Sequence, residues 1–200
     1  NDPKLAQAEI VLPIHGQLSA NLKDKSLNST LDAKFDETKL HTTVQVQDFS
    51  NPAISFKVDI DKLNLDRYIK NSAEPTKADN SKEEDLNLAA LKSLKLDGLI
   101  RIGAVQVKNL KINQVQLPLK ADQGKITMNG IAAQLYQGSL AGNIGFDVDG
   151  NQFQMQQSLS NVQINPILVD FMQKDIVEGR GNLNLNINTH GKRVSQFKDN

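Results

Sequence analysis

The sequence predicts a mainly β protein: an antiparallel, curved or extended sheet, groove-like or an incomplete sandwich, with two or three short helices. Three observations carry this. Apolar and polar residues alternate at period two over most of the chain. Turn pairs such as Asn129-Gly130 and Asp149-Gly150 punctuate the alternation. The composition is 38% hydrophobic but only 4% aromatic, without Trp, and so suits a thin one-sided sheet better than a thick core.

The elements follow in order. Ile10, Leu12 and Ile14 point one way, and Leu18, Ala20 and Leu22 continue after Gly16. Leu27, Leu31, Ala33 and Phe35 alternate with polar neighbours, as do Leu40, Val44 and Val46. Ile54, Phe56, Val58 and Ile60 complete a strand with one apolar and one wet face, the mark of antiparallel pairing. The period then changes: Leu65 to Ile69 reads as a helical turn capped by Asn64. Residues 71–85 are rich in Ser, Asn, Lys and Glu and read as a flexible polar linker between an N-terminal β segment, 1–70, and a second β region, 86–200. Leu88, Leu91 and Leu94 lie at helical spacing, which predicts a short amphipathic helix.

Strands resume at Ile100 and Ile102, pass Gly103, and continue at Val105 and Val107. Leu110 and Ile112 keep a face, but the phase slips to Val115, Leu117 and Leu119, which demands a bulge or turn near Asn113-Gln114. Asp122-Gln123-Gly124 is a hairpin turn, followed by Ile126 and Met128, then Ala133 and Leu135. Leu140, Ile144, Phe146 and Val148 follow Gly138; Phe153, Met155 and Leu159 follow the next turn. A helix is predicted from Asn165 to Lys174, near 165–175, with Asn165 as cap and Pro166 in its first turn. Leu183, Leu185 and Ile187 form the last strand. A weak internal repeat links Phe56–Leu65 with Phe153–Ile164, and Gly16–Leu22 with Gly181–Ile187.

Net charge is zero, with Lys and Arg scattered singly, so nothing suggests a nucleic-acid partner. The absence of Cys excludes disulfides and thiolate sites. His15, His41 and His190 have no companion at metal-ligand spacing, so no metal is expected. Asp147-Val148-Asp149-Gly150-Asn151 lacks the spacing and terminal Glu of a calcium loop and reads as a hairpin turn. Asp59, Asp61 and Asp66 sit on a wet strand face and at a helix start, where they need no catalytic reason. The chain opens Asn1-Asp2-Pro3 without an initiator Met and contains no run long enough for a membrane span, so it reads as a piece of a longer protein.

The second half resembles the AsmA family of Gram-negative envelope proteins. The matching stretches are Leu96-Asp97-Gly98-Leu99-Ile100-Arg101-Ile102-Gly103, Ala121-Asp122-Gln123-Gly124-Lys125-Ile126, Leu135-Tyr136-Gln137-Gly138-Ser139-Leu140-Ala141-Gly142, Asn165-Pro166-Ile167-Leu168 and Glu178-Gly179-Arg180-Gly181-Asn182-Leu183. In the first half, Leu63-Asn64-Leu65-Asp66-Arg67-Tyr68-Ile69 is similar to a family step from strand to D-R-Y. The resemblance implies a non-enzymatic periplasmic module without cofactors, anchored to the inner membrane through a segment outside this chain. It further implies a part in outer-membrane assembly and lipid homeostasis, with phospholipid or another acyl-chain ligand, and envelope proteins, as partners. The expected mechanism is an apolar β-groove that binds or conducts phospholipid. The candidate lining is Ile100, Ile102, Val105, Val107, Leu117, Leu119, Ile126, Met128, Leu135, Ile144, Phe146 and Val148. The alternative is a structural adaptor that scaffolds outer-membrane protein assembly through a sheet edge.

Overall fold

Period-two alternation becomes strand over most of the described residues; Leu22 and Val148, read as continuing their strands, fall in turns. The computed structural model describes residues 13–68, 92–175 and 177–190. They form β1 (Ile14–Asn21), β2 (Ser26–Phe35), β3 (Thr38–Gln47), β4 (Ala53–Asn64), β5 (Lys95–Val107), β6 (Leu110–Asp122), β7 (Lys125–Leu135), β8 (Gly138–Asp147), β9 (Gln152–Gln163) and β10 (Arg180–His190). The helical elements with bounds inside these residues are α1 (Ile164–Met172) and a 3-10 turn, Leu65–Arg67. Two or three short helices were expected, so the helical content is slightly lower among the described residues. The helix read over Leu86 to Leu94 falls mainly on residues 86–91, outside the described residues. The linker 71–85 and the alternation at Ile10 and Leu12 also lie outside them.

All ten strands join one open sheet in chain order. Neighbours are antiparallel except β4 and β5, which run parallel, Ala53 beside Lys95 and Asn64 beside Gln106. This corrects the expectation of a wholly antiparallel sheet. Alternation carries no information about strand direction. The connection from Asn64 to Lys95 returns the chain along the whole of β4, about 40 Å at ~3.3 Å per residue, before β5 begins. The hairpins are tight instead. Lys108-Asn109, Gln123-Gly124 and Tyr136-Gln137 each place two successive residues at positive φ, the geometry whose twist matches that of the flanking strands.

The phase slip at Gln114 is a bulge, with φ at 51° inside a continuous β6. Asn113 pairs with Gln134 and Gln116 with Ala132, so residues three apart on β6 oppose residues two apart on β7. The bulge therefore returns Ile112 and Leu110 to the face of Val115, Leu117 and Leu119. The same three-residue step recurs from Ile102 to Val105 on β5 and from Ile60 to Leu63 on β4. It recurs from Met128 to Ile131 across Gly130 (φ 83°) on β7 and from Leu159 to Val162 across Asn161 (φ 57°) on β9. Bulges thus keep apolar residues on one face of long strands.

The repeat is clearer in space than in sequence. Strands β2, β3, β4 and the 3-10 turn recur about one hundred residues later as β7, β8, β9 and α1. After that the halves diverge, because β4 is followed by a parallel neighbour and β9 by an antiparallel one. The similar stretches at Gly16 and Gly181 occupy the two opposite edges, β1 and β10.

Helix α1 starts one residue before the sequence-based boundary. Gln163, not Asn165, is the cap residue, and it makes no side-chain cap bond; Asn165 reaches Asp175 instead, Nδ2 to Oδ1 at 2.9 Å. The helix stops at Gln173, whose left-handed backbone (φ 56°) lets its N–H reach the carbonyls of Leu168 and Val169. The 3-10 turn is capped as expected: Asn64 Oδ1 accepts the Asp66 N–H at 3.0 Å. Among the described residues the buried apolar side chains are Val105, Ala121, Ile131, Ala133, Val148 and Val162, and no large side chain is fully buried. The described residues form one layer of sheet.

Candidate functional site: the apolar face

Register alone assembles a band of side chains across the whole sheet, apolar on nine of its ten strands. Ala20, Leu27, Val46, Ile54, Leu96, Ala121, Ile126, Phe146, Phe153 and Thr189 pair successively, one from each strand. The next position along, on the other face, pairs Ser19, Asn28, Gln45, Ser55, Asp97, Lys120, Thr127, Gly145, Gln154 and Asn188 in the same way. The first row is thus apolar on nine strands and ends in Thr189 on β10, the second is polar or glycine throughout, and Gln157, opposite Gly142 and Leu185, interrupts the apolar face. At ~4.8 Å between strands the band is about 43 Å long.

Eleven of the twelve candidate residues stand on the apolar face. Ile100 pairs with Leu117, Ile102 with Val115, Val105 with Ile112 and Val107 with Leu110. Leu119 opposes Gly98, and a Cβ at Gly98 would lie 2.4 Å from the Phe56 ring, so the missing side chain makes room for Phe56. Ile126, Met128 and Leu135 pair with Phe146, Ile144 and Gly138. Most are half-buried although no second sheet covers them. Val148 is the twelfth. It is 3% exposed and lies past the end of β8, where its N–H bonds the Gly124 carbonyl at 2.9 Å. Val105, at 8% exposed, is also buried.

The rim at the C-terminal ends of β4 and β9 is held by polar side chains that sequence reading assigned no role. The Asp66 carboxylate collects the backbone N–H groups of Lys108 and Asn109 and the Gln106 amide, and so ties the 3-10 turn to the β5–β6 hairpin. These donors, the Asn109 N–H foremost, hold its carboxyl below the usual range. Arg67 pairs with Asp36, Lys62 with Glu37 at 2.7 Å, and Tyr68 stacks on Phe35. A recess of about 290 Å³ here is lined by these same ion-paired groups.

Along the same rim, Tyr136 in the β7–β8 turn accepts the Lys111 N–H at 3.1 Å and donates to Asp170 of α1 at 2.7 Å. Burial, reinforced by the neighbouring Asp170 carboxylate, pushes the Tyr136 phenol up to about 12. Asp170, bonded by Tyr136 and by Lys111, is held low. Helix α1 is thereby fastened across the ends of the second-half strands while Val169, Phe171 and Met172 stay exposed.

The other candidates have structural roles. On the polar face His15, Asp32, His41, Asp59 and Arg101 lie opposite one another in turn on β1 to β5. His41 Nδ1 stands 2.7 Å from Asp32, and Arg101 Nε 2.6 Å from Asp59. Burial pushes Asp61 up, but the N–H groups of Lys39 and Lys62 outweigh it and hold the carboxyl low. Asp147 closes its own turn by accepting the N–H groups of Asp149 and Gly150. Among the described residues no three His or acidic side chains converge as metal ligands, and no helix is long and apolar enough to cross a membrane.

Comparison with known proteins gives one family match: the model of the AsmA family fits residues 4–200. No curated protein and no solved structure matches.

Proposed function

The chain belongs to the AsmA family, and from that premise we propose that its sheet is a stretch of an apolar trough that carries the acyl chains of phospholipid. The family is associated in general with envelope assembly and lipid homeostasis. The observation that supports the reading is the row of apolar side chains through nine of the ten strands, with no second sheet upon it among the described residues. Each Å² of acyl chain laid on that face recovers about 25 cal/mol. Similar residues recur strand after strand, so a chain shifted by ~4.8 Å finds nearly the same environment and meets no deep trap. A length of about 43 Å exceeds twice the ~15 Å depth of one bilayer leaflet. In this reading the module works without catalysis, in the periplasm, and is tethered to the inner membrane through a segment beyond this chain.

The test uses the purified chain and a fluorescent phosphatidylethanolamine, with mass spectrometry of co-purified lipid. The expected result is saturable binding, lowered at least fivefold by Ile144→Gln, with Gln156→Glu on the polar face unchanged. Absence of exchangeable lipid, or equal binding in both variants when both remain folded by circular dichroism, overturns the reading. The adaptor alternative has the exposed Leu183 and Leu185 of β10 in its favour. A photo-cross-linker at Leu185 separates the two, since adducts to envelope proteins support the adaptor and lipid adducts the trough.

A further inference from the structure

We propose that Gln157 is a polar station in the apolar trough, where its carboxamide holds the ester carbonyl of an acyl lipid. The proposal rests on the trough reading and names the chemical class that the trough takes, an ester-linked acyl chain. Across β5 to β9 the positions on the face of Ile144 hold aliphatic residues, Phe, Met or Gly, with Gln157 the exception. Met155 and Leu159 flank it along β9, Leu140 and Ile144 stand diagonally on β8, and Leu185 is opposite on β10. None of these side chains offers an amide a strong hydrogen bond. Among the described residues the Gln157 amide has no hydrogen-bond partner.

Gly142 decides where the amide lies. It is the β8 partner of Gln157, and a Cβ there would sit 2.4 Å from Gln157 Oε1 and 2.5 Å from its Cδ. The same Cβ would meet the Gln156 carbonyl oxygen at 2.4 Å, so the backbone itself keeps this place free of a side chain. The amide is folded into that gap and lies against the sheet, within the apolar face. Gln157 is half-buried, so water serves its amide until an acyl chain covers it. A covered amide without a partner costs free energy, and a purely hydrocarbon ligand supplies no partner. An ester carbonyl does supply one: it accepts from the Gln157 N–H while the chain behind it lies on aliphatic side chains. No cation stands on this face of β5 to β9, so a free fatty-acid carboxylate would be left unpaired and is selected against. Across Gly142 the row continues in Ile131 of β7, and Leu117 and Ile100 pair beyond it, so the chain meets apolar residues toward β5. The station also breaks the sameness of the trough: a sliding lipid pauses where its ester meets Gln157.

The experiment removes each partner of the bond in turn. The purified chain is titrated with fluorescent phosphatidylethanolamines whose chains are joined by ester bonds or by ether bonds, which have no carbonyl. The unaltered chain is expected to bind the diester about tenfold more tightly than the diether, the effect of one lost hydrogen bond whose donor stays covered. Gln157→Met, an unbranched apolar side chain of similar length, should bind the two lipids equally, and Gln156→Glu on the polar face should discriminate as the unaltered chain does. A space-filling role for Gln157 would change affinity for both lipids alike. The infrared band of an isotope-labelled ester carbonyl should move to lower frequency on the unaltered chain and stay in place on Gln157→Met. Equal binding of the two lipids by the unaltered chain, an unmoved carbonyl band, or discrimination kept by folded Gln157→Met overturns the station and leaves the trough standing. Binding of neither lipid by the unaltered chain overturns the trough and the station with it.

Discussion

Tyr136 joins three elements through one oxygen, so its loss should be felt beyond its own turn. Tyr136→Phe keeps the ring but leaves Asp170 and the Lys111 N–H without this partner. The expected cost is about 1–2 kcal/mol, read as a lower urea midpoint with an unchanged slope. The phenol also predicts a pH effect. Its folded pKa, about 12, lies above the ordinary value of 10, so between these values the unfolded chain releases the proton while the folded one keeps it. Stability from this residue is complete below pH 10 and is lost as pH rises toward 12, a fall that Tyr136→Phe should lack. Asp66 has the opposite sign. Its folded pKa is depressed, so its contribution is present above the ordinary 3.8 and disappears as pH falls through the folded value. Asp66→Ala should cost about 1–2 kcal/mol at neutral pH by freeing the β5–β6 hairpin, measured by urea denaturation. Sequence quoted both residues, Tyr136 in a run before Gly138 and Asp66 beside its cap, yet neither partnership was readable. Asp66 meets a hairpin forty residues away, and nothing in local spacing encodes that.

Strands owe their length to the bulges. A strand that slips phase would turn half its apolar residues to water, and a single extra residue prevents this at β4, β5, β6, β7 and β9. The slip at Gln114 was legible because two apolar runs of opposite phase met there. The step at Gly103 was not legible as part of a line, because its partners at Asp61 and Gln114 come from other strands. Gly103 tests the element. A Cβ there would sit 2.4 Å from the Asp61 carbonyl oxygen, backbone that cannot swing aside. Gly103→Val should therefore destabilise by about 1–3 kcal/mol and loosen the β4–β5 junction first. Hydrogen exchange should report this as faster exchange at Asp59 to Leu63 with β8 and β9 unchanged. Helix α1 was placed by Pro166 to within one residue at its start and two at its end. Its cap was misassigned because Asn165 is spent on Asp175.

For the molecule as a whole, a single layer of sheet implies unusual solution behaviour. Six buried apolar residues among those described form too little core to expose much new surface on unfolding. The urea slope should lie at the low end for the chain length, about 1–2 kcal/mol per molar, and a hydrophobic dye should fluoresce on the native protein. A steep slope with no dye binding would mean that the apolar face is covered in solution. Most strands, the apolar side of each, the phase slip near Gln114 and the final helix were legible in the sequence, because alternation, glycine and proline act over a few residues. Long-range pairing set the parallel run of β4 and β5, the alignment of the bulges and the burial of Val148. It also decided that the apolar sides of successive strands share one face of the sheet. Direction, register and the absence of a second layer depend on residues far apart in the chain, and period two is the same for a strand that is covered and one that is open.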